Sequence, residues 1–309
     1  KLLLVMMALL TSIFLFQIPN QTDAKMLRIG GSTAGGGYFV VSGAMSSILQ
    51  VEDMDARVQT TGGGRQNAIL AHTGQIDLGL TNNIEAFEEY KKKGRDNFRS
   101  IMPVFNGIHH MFVRADYDID NLKDLEGESF GLTKKGSTHD VAGRQIFEIL
   151  EIKPKFINAG KMDSNNLVRD GLIKGYFITS GIPVPSISEL ESTTKIRFLR
   201  YTDSQYTKIA NEAPWLSKDV IPAGSYNSVE EPVKSFSSWN VLIANKDVED
   251  EIIYKVCKAI FKNKKAITRA YPAAEIDKNL VDKLALPLHP GAVKYYRENG
   301  VVIPEKLIP

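Results

Sequence analysis

Short apolar runs alternate with longer stretches of helical periodicity along most of the chain. The run MLRI (26–29) passes through a glycine-rich turn into YFVVSGAMSSIL, where Tyr38, Val41, Met45, Ile48 and Leu49 recur on one helical face. ARVQT (56–60) leads through TGGGRQ into NAILAHTGQ, and IDLGL (76–80) follows. Strand, helix, strand, helix, strand predicts an α/β fold with a mostly parallel sheet. The charged segment EAFEEYKKKGRDNF suits a helix, and SIMPVF and HHMFVRA follow it. SFGLT restarts the pattern with a strand, a glycine turn and a helix. YFITSG reads as a strand closed by Gly181 and the turn PVP, and IRFLR as a further strand. KDVIPAGSY reads as a turn-rich connection and SSWNVLIANK as a strand. Two helical patterns and the tail LPLHPGAVKYYRENG close the chain.

HHMFVRA and WNVLIANK are similar apolar runs about 130 residues apart, each leaving an α/β unit. They predict two strands crossing between two lobes: lobe one from residues 25–114 plus 237–309, lobe two from 115–236. Two lobes joined by two strands form a hinge with a cleft between them. Neither an internal repeat nor a low-complexity tract interrupts this plan.

The first 24 residues stand apart. One basic residue, an apolar run from Leu2 to Phe16 and a polar tail ending at Ala24 have the layout of a secretory signal peptide. The expected product is an exported protein cleaved near Ala24; a membrane anchor is the alternative, for which the apolar run is short. The segment contains one Lys and one Asp, so the net charge of +2 is unchanged without it. That balance gives no reason to expect nucleic acid or an anionic membrane surface as a partner. The single cysteine, Cys257, excludes an intramolecular disulfide and falls on the apolar face of a helical pattern. It is expected to be buried.

Three turns share one design: GSTAGGGY, TTGGGRQN and KKGSTHDV. Each follows an expected strand and opens an expected helix. The first N–H groups of a helix lack intrahelical partners and carry partial positive charge, so such turns hold carboxylates or phosphates. Hydroxyls beside the glycines add donors that are neutral at any pH. The candidate ligand contacts are Ser32, Thr33 and Tyr38 in the first turn, Gly63 in the second, and Ser137, Thr138 and His139 in the third. Asn82 after the third strand, Ser180 at the end of YFITSG and Trp239 on the second crossing strand complete the set. All three turns are expected to converge on the interlobe cleft, with Tyr38 or Trp239 covering the apolar part of the solute; Trp239 opens the second crossing strand, so hinge packing is its alternative role.

Nucleotide motifs fail by residue. Gly37 and Tyr38 stand where a Walker loop needs Lys and Ser or Thr, and Val40 stands where the dinucleotide fingerprint needs its last glycine. GGSTA comes within one residue of the G-x-S-x-G elbow around Ser32, which leaves an exported hydrolase as an alternative. That elbow would follow the first strand, with no earlier loop to complete an oxyanion hole. The five histidines show no metal-ligand spacing, and adjacent His109 and His110 face opposite ways on a strand. Each is expected on the surface or as a satisfied core residue. No catalytic pair, metal site or cofactor motif emerges; the residues argue for binding without chemistry.

Taken in order, the opening glycine turn ending in Tyr38, TGGGRQN, GQIDLGLTNN, LKDLEGESFGL with its GST turn, IPAGSY and PLHPGAVKYYRE resemble the TAXI family of solute-binding receptors. The resemblance implies a two-lobe, type II-like periplasmic binding protein, acting as a monomer. Such a protein passes a small organic anion, such as glutamate or 2-oxoglutarate, to a TRAP-type permease driven by a sodium or proton gradient. It places Ser32, Thr33 and Tyr38 in the cleft and Gly63 and Asn67 in the second turn, where Asn67 either caps the helix or touches ligand. Two departures stand out: Thr81, Asn82 and Asn83 replace the family's Gln-Ser-Asp, and His139 replaces a Glu after the third turn. Losing both acids favours a plain carboxylate or keto acid over an amino acid. A sensory receptor using the same closed form is the other functional alternative.

Overall fold

The computed structural model describes residues 26–309 apart from 33, 35, 36 and 134. The leader read in residues 1–24 and the candidate Thr33 lie outside the described residues. The first half runs β1 (Leu27–Gly30), α1 (Gly37–Val51), β2 (Ala56–Gln59), α2 (Gly64–His72), β3 (Leu78–Asn82) and α3 (Asn83–Phe87). One π-helical turn (Glu88–Lys92) leads from α3 towards β4 (Phe98–Arg114). The chain continues with β5 (Ser129–Leu132), α4 (Thr138–Ile149), β6 (Lys155–Asn158), α5 (Lys161–Arg169), β7 (Gly175–Ser180) and α6 (Pro185–Glu191). Then come β8 (Ile196–Phe198), α7 (Asp203–Glu212), β9 (Ser217–Ile221) and β10 (Val233–Asn245). Helices α8 (Asp250–Lys262), α9 (Lys264–Ala270) and α10 (Pro290–Glu298) return to the first half.

One sheet carries the order β2-β1-β3-β10-β4-β7-β5-β6, with β8 beside β4 and β9 beside β10. The two outer triplets are parallel within themselves. The centre differs from the mostly parallel expectation: β10 is antiparallel to β3 and β4, and β4 to β7. The two long central strands run from one triplet to the other, as the apolar runs HHMFVRA and WNVLIANK predict. SIMPVF and HHMFVRA turn out to be one strand despite Pro103. A register shift lets it pass: Asn240 faces Phe105 and Val241 faces Pro103, so a bulge takes the place of the missing N–H.

Three further readings change. The segment read as a turn-rich connection begins with edge strand β9, whose side chains alternate in exposure against β10. The PVP turn opens α6, with Pro185 at a helix start where no N–H is needed. Strand β6 and helices α5 and α7 were not anticipated, because their short polar segments carry little apolar periodicity.

Burial explains the two-sided layering. Leu27, Ile29, Met45, Leu49, Leu80, Val241, Ile260 and Tyr296 share one core under β1–β3. In the other half, consecutive strand residues point to opposite faces. Tyr176 and Phe112 join one core, while Phe177 and Val113 join another. Cys257 is buried on α8, as its helical position predicts, and burial raises its thiol pKa. Among the described residues no helix is long and apolar enough to cross a membrane.

Candidate functional site

A cavity of about 290 Å³ opens where the two parallel triplets face each other across β4 and β10. Ser32, Gly37, Tyr38, Asn240 and Tyr271 line it from the first half; Thr138, His139, Thr179, Ser180 and Gly181 line it from the second. Phe105, Asn106 and Gly107 of β4 run between them. Among the described residues no Lys, Arg, Asp or Glu is in the lining.

Two helix starts meet here. Helix α1 begins at Gly37, where an added Cβ would lie 3.1 Å from the Tyr271 hydroxyl, so glycine lets that ring pack over the first turn. Helix α4 begins at Thr138, with Ser137 as N-cap accepting from the Asp140 N–H. Asp140 is pushed up by burial, but the Gly136 N–H, Asn158 and Arg144 outweigh that and hold its carboxyl below the usual range.

The first-half wall is aromatic. Tyr38 and Phe105 lie 5.9 Å apart, Phe105 and Tyr271 5.1 Å. Tyr38 donates to Asn240 Oδ1 at 2.6 Å, and Asn240 Nδ2 donates to the Phe105 carbonyl at 3.2 Å. Asn82 Nδ2 supports the same Asn240 oxygen from beneath at 3.3 Å. Burial, with Glu85 and Tyr271 nearby, drives the Tyr38 hydroxyl well above its ordinary pKa, so it remains a proton donor. Opposite, His139 Nδ1 accepts the Thr179 N–H at 3.2 Å, which places the proton of the neutral ring on Nε2.

The candidate residues divide. Ser32, Tyr38, Thr138, His139 and Ser180 line the cavity. Ser137 caps α4 just behind it, and Asn82 caps α3 by accepting from the Ile84 N–H. Trp239 does not cover the cavity: it is 3% exposed and packs in the first-half core. Strand alternation sends Trp239 inward and its neighbour Asn240 into the cleft. Of the two roles expected for Trp239, its burial fits packing on the crossing strand and not a ligand contact, and Asn240 was not among the candidates. Sequence reasoning also missed Phe105, Asn106, Thr179 and Tyr271, which only the strand crossing and the return of the C-terminal segment bring together.

The second turn does not reach the cavity. Gly63 is the N-cap of α2 with φ +102° and lies outside the lining. The mouth of that turn is filled from within by Glu85: a Cβ on Gly64 would stand 2.1 Å from Glu85 Oε2. Asn67 neither caps the helix nor lines the cavity. It is buried, and its Nδ2 donates to the carbonyls of Gly30, Gly31 and Leu80.

His109 and His110 are core residues, one of the two positions expected, and of the pair His110 is the satisfied one. His110 donates from Nδ1 to the Ile108 carbonyl and accepts from the Tyr226 hydroxyl on Nε2. Burial lowers it to about 4. His109 is lowered to about 3 by burial and by His110 and His139, and neither ring nitrogen has a partner. Among the described residues no group of three or more His, Cys, Asp or Glu is placed to hold a metal ion.

The fold recurs in solved proteins of low sequence identity. XAC2383 from Xanthomonas citri, bound to chloride, aligns at a TM-score of 0.53 with 13% identity, over 88% of this chain and 95% of that one. The same protein bound to ATP gives 0.52 and 12%, over 88% and 94%. A putative periplasmic sulfonate-binding protein of an ABC transporter from Methylobacillus flagellatus gives 0.52 and 14%, over 81% and 73%. The chain thus shares the fold of these proteins. A profile of the NMT1-like family matches residues 29–300, and the chain belongs to that family.

Proposed function

We propose that this protein is an exported solute-binding receptor that captures a small organic anion in the cavity and hands it to a membrane transporter. One observation carries the reading. Two helix N-termini from opposite halves meet over one cavity that has an aromatic wall and, among the described residues, no charged side chain. Fixed N–H and hydroxyl donors replace the water around a carboxylate without the desolvation cost of a buried cation. Tyr38, Phe105 and Tyr271 cover the apolar remainder. A volume near 290 Å³ holds roughly ten waters' worth of solute, the size of a short keto or dicarboxylic acid.

Residues 25–114 with 237–309, and residues 115–236, act as the two lobes. They close by bending at β4 and β10, and ligand contacts on both sides favour the closed form. For the transporter, the TAXI-like motif order supports a TRAP-type permease. The Methylobacillus neighbour is named for an ABC transporter, but at 14% identity that likeness speaks for the fold.

A thermal-shift screen of carboxylates, keto acids, sulfonates and amino acids tests the reading. Carboxylates of up to about ten heavy atoms should raise Tm, by roughly 2.7 kcal/mol of stabilisation at a hundred times Kd. Stabilisation by cationic or purely apolar solutes alone would remove the anion reading.

A further inference from the structure

Glu85 is a buried acidic side chain that bonds the cavity lining from behind, and no motif singled it out. It is 4% exposed. Its Oε1 accepts from Thr138 Oγ1 at 3.2 Å, and Thr138 lines the cavity. Its Oε2 is buried over Gly64 without a hydrogen-bond partner. Several charged or titratable groups surround it. On α2, Arg65 is committed to Glu88 and to Glu89, the latter at 2.6 Å. Glu88 lies beyond on the turn after α3, Tyr38 faces it from α1, and His139 follows Thr138 on α4, tied to Thr179. No cation hydrogen-bonds to it among the described residues.

We propose that Glu85 makes anion capture proton-linked, because the Thr138 hydroxyl can turn towards the solute only when the Glu85 carboxyl carries a proton. The inference rests on the cavity being an anion site. An ionised carboxylate only accepts, so it holds the Thr138 O–H and leaves lone pairs facing the cavity. A protonated carboxyl donates to Thr138 Oγ1 and releases that O–H to the solute. Charge repulsion between Glu85 and the solute acts in the same direction. The carboxyl is poised for this. Burial raises it to about 7, opposed by the Thr138 hydrogen bond, Arg65 and the Asn82 backbone.

The proton balance is simple: one proton moves from solvent to the carboxylate as the anion binds, and no other bond changes. The sign follows from linkage. A bound anion raises the Glu85 pKa further, so affinity is full below about 7 and falls above it, by at most tenfold per pH unit. A solute with an ammonium group facing Thr138 has the opposite slope.

The experiment measures Kd for acetate, lactate, 2-oxoglutarate and benzoate on the full chain from about pH 5.5 to about pH 8.5. Wild type should weaken on the alkaline side for whichever of these binds. Glu85→Gln, locked neutral, should bind with one affinity throughout, and Thr138→Val should lose affinity at low pH and show a shallower slope. A pH-independent wild type, or Glu85→Gln with the wild-type slope, overturns the inference while leaving the receptor reading intact. If none of the four carboxylates binds at any pH, the anion reading falls and the inference falls with it.

Discussion

Asn67→Asp should destabilise the protein by about 3–5 kcal/mol at neutral pH although it changes a single atom. The Asn67 amide nitrogen lies 3.2 Å from the Gly30 carbonyl and 2.7 Å from those of Gly31 and Leu80. The amide oxygen accepts from Thr61 at 2.7 Å, so the orientation of the group is settled by its partners. Aspartate puts a negative oxygen among three acceptors. Its pKa in the folded protein must rise, so the penalty is greatest at high pH. It shrinks as pH falls towards the unfolded aspartate value near about 4, where the protonated form regains one O–H donor. Urea unfolding of both proteins at neutral and mildly acidic pH gives the comparison. A pH-independent loss below about 1 kcal/mol would show that the three carbonyls find other donors. Because these contacts hold the first glycine turn to β3, the variant should also loosen the wall that carries Ser32.

Gly175→Ala is the second large effect. A Cβ there would lie 1.9 Å from the Phe112 carbonyl oxygen and 2.6 Å from the Val113 Cα, both backbone atoms of the adjoining strand. No rotamer change relieves that, so β7 must separate from β4, at a cost of about 3 kcal/mol or more. Strand β7 ends at Ser180, on the cavity wall, so weaker solute binding should accompany the loss. Gly43→Ala on α1 is the internal control. Nothing lies within 4 Å of the added carbon, and the helix should gain about 0.5–1 kcal/mol. Chemical denaturation midpoints for the two variants should therefore move in opposite directions. A Gly175→Ala protein of wild-type stability would contradict the closeness of the two strands.

Much of the layout was legible because apolar periodicity is local. The helical face Tyr38, Val41, Met45, Ile48 and Leu49 became α1, and the two similar apolar runs became the crossing strands β4 and β10. Edge strand β9 and short polar helices such as α5 were not legible, since their periodicity is weak and neighbours supply the reason to fold. The glycine turns were visible as turns, yet their fates were not. The first and third face the cavity, while the second is filled by Glu85, 21 residues further along the chain.

What the chain determined on its own was the alternation of strands and helices, the two crossing points, the glycine-turn helix starts near Gly37 and Thr138, and the burial of Cys257. All of these follow from side-chain periodicity and backbone chemistry within a few residues. The tertiary structure alone decided that Asn240 rather than Trp239 meets the cavity, and that Phe105 and Tyr271 build its wall. It alone placed a buried carboxyl behind Thr138. Those outcomes depend on which distant segments pack together, and the energy of burying a polar or charged group is set by its neighbours in space.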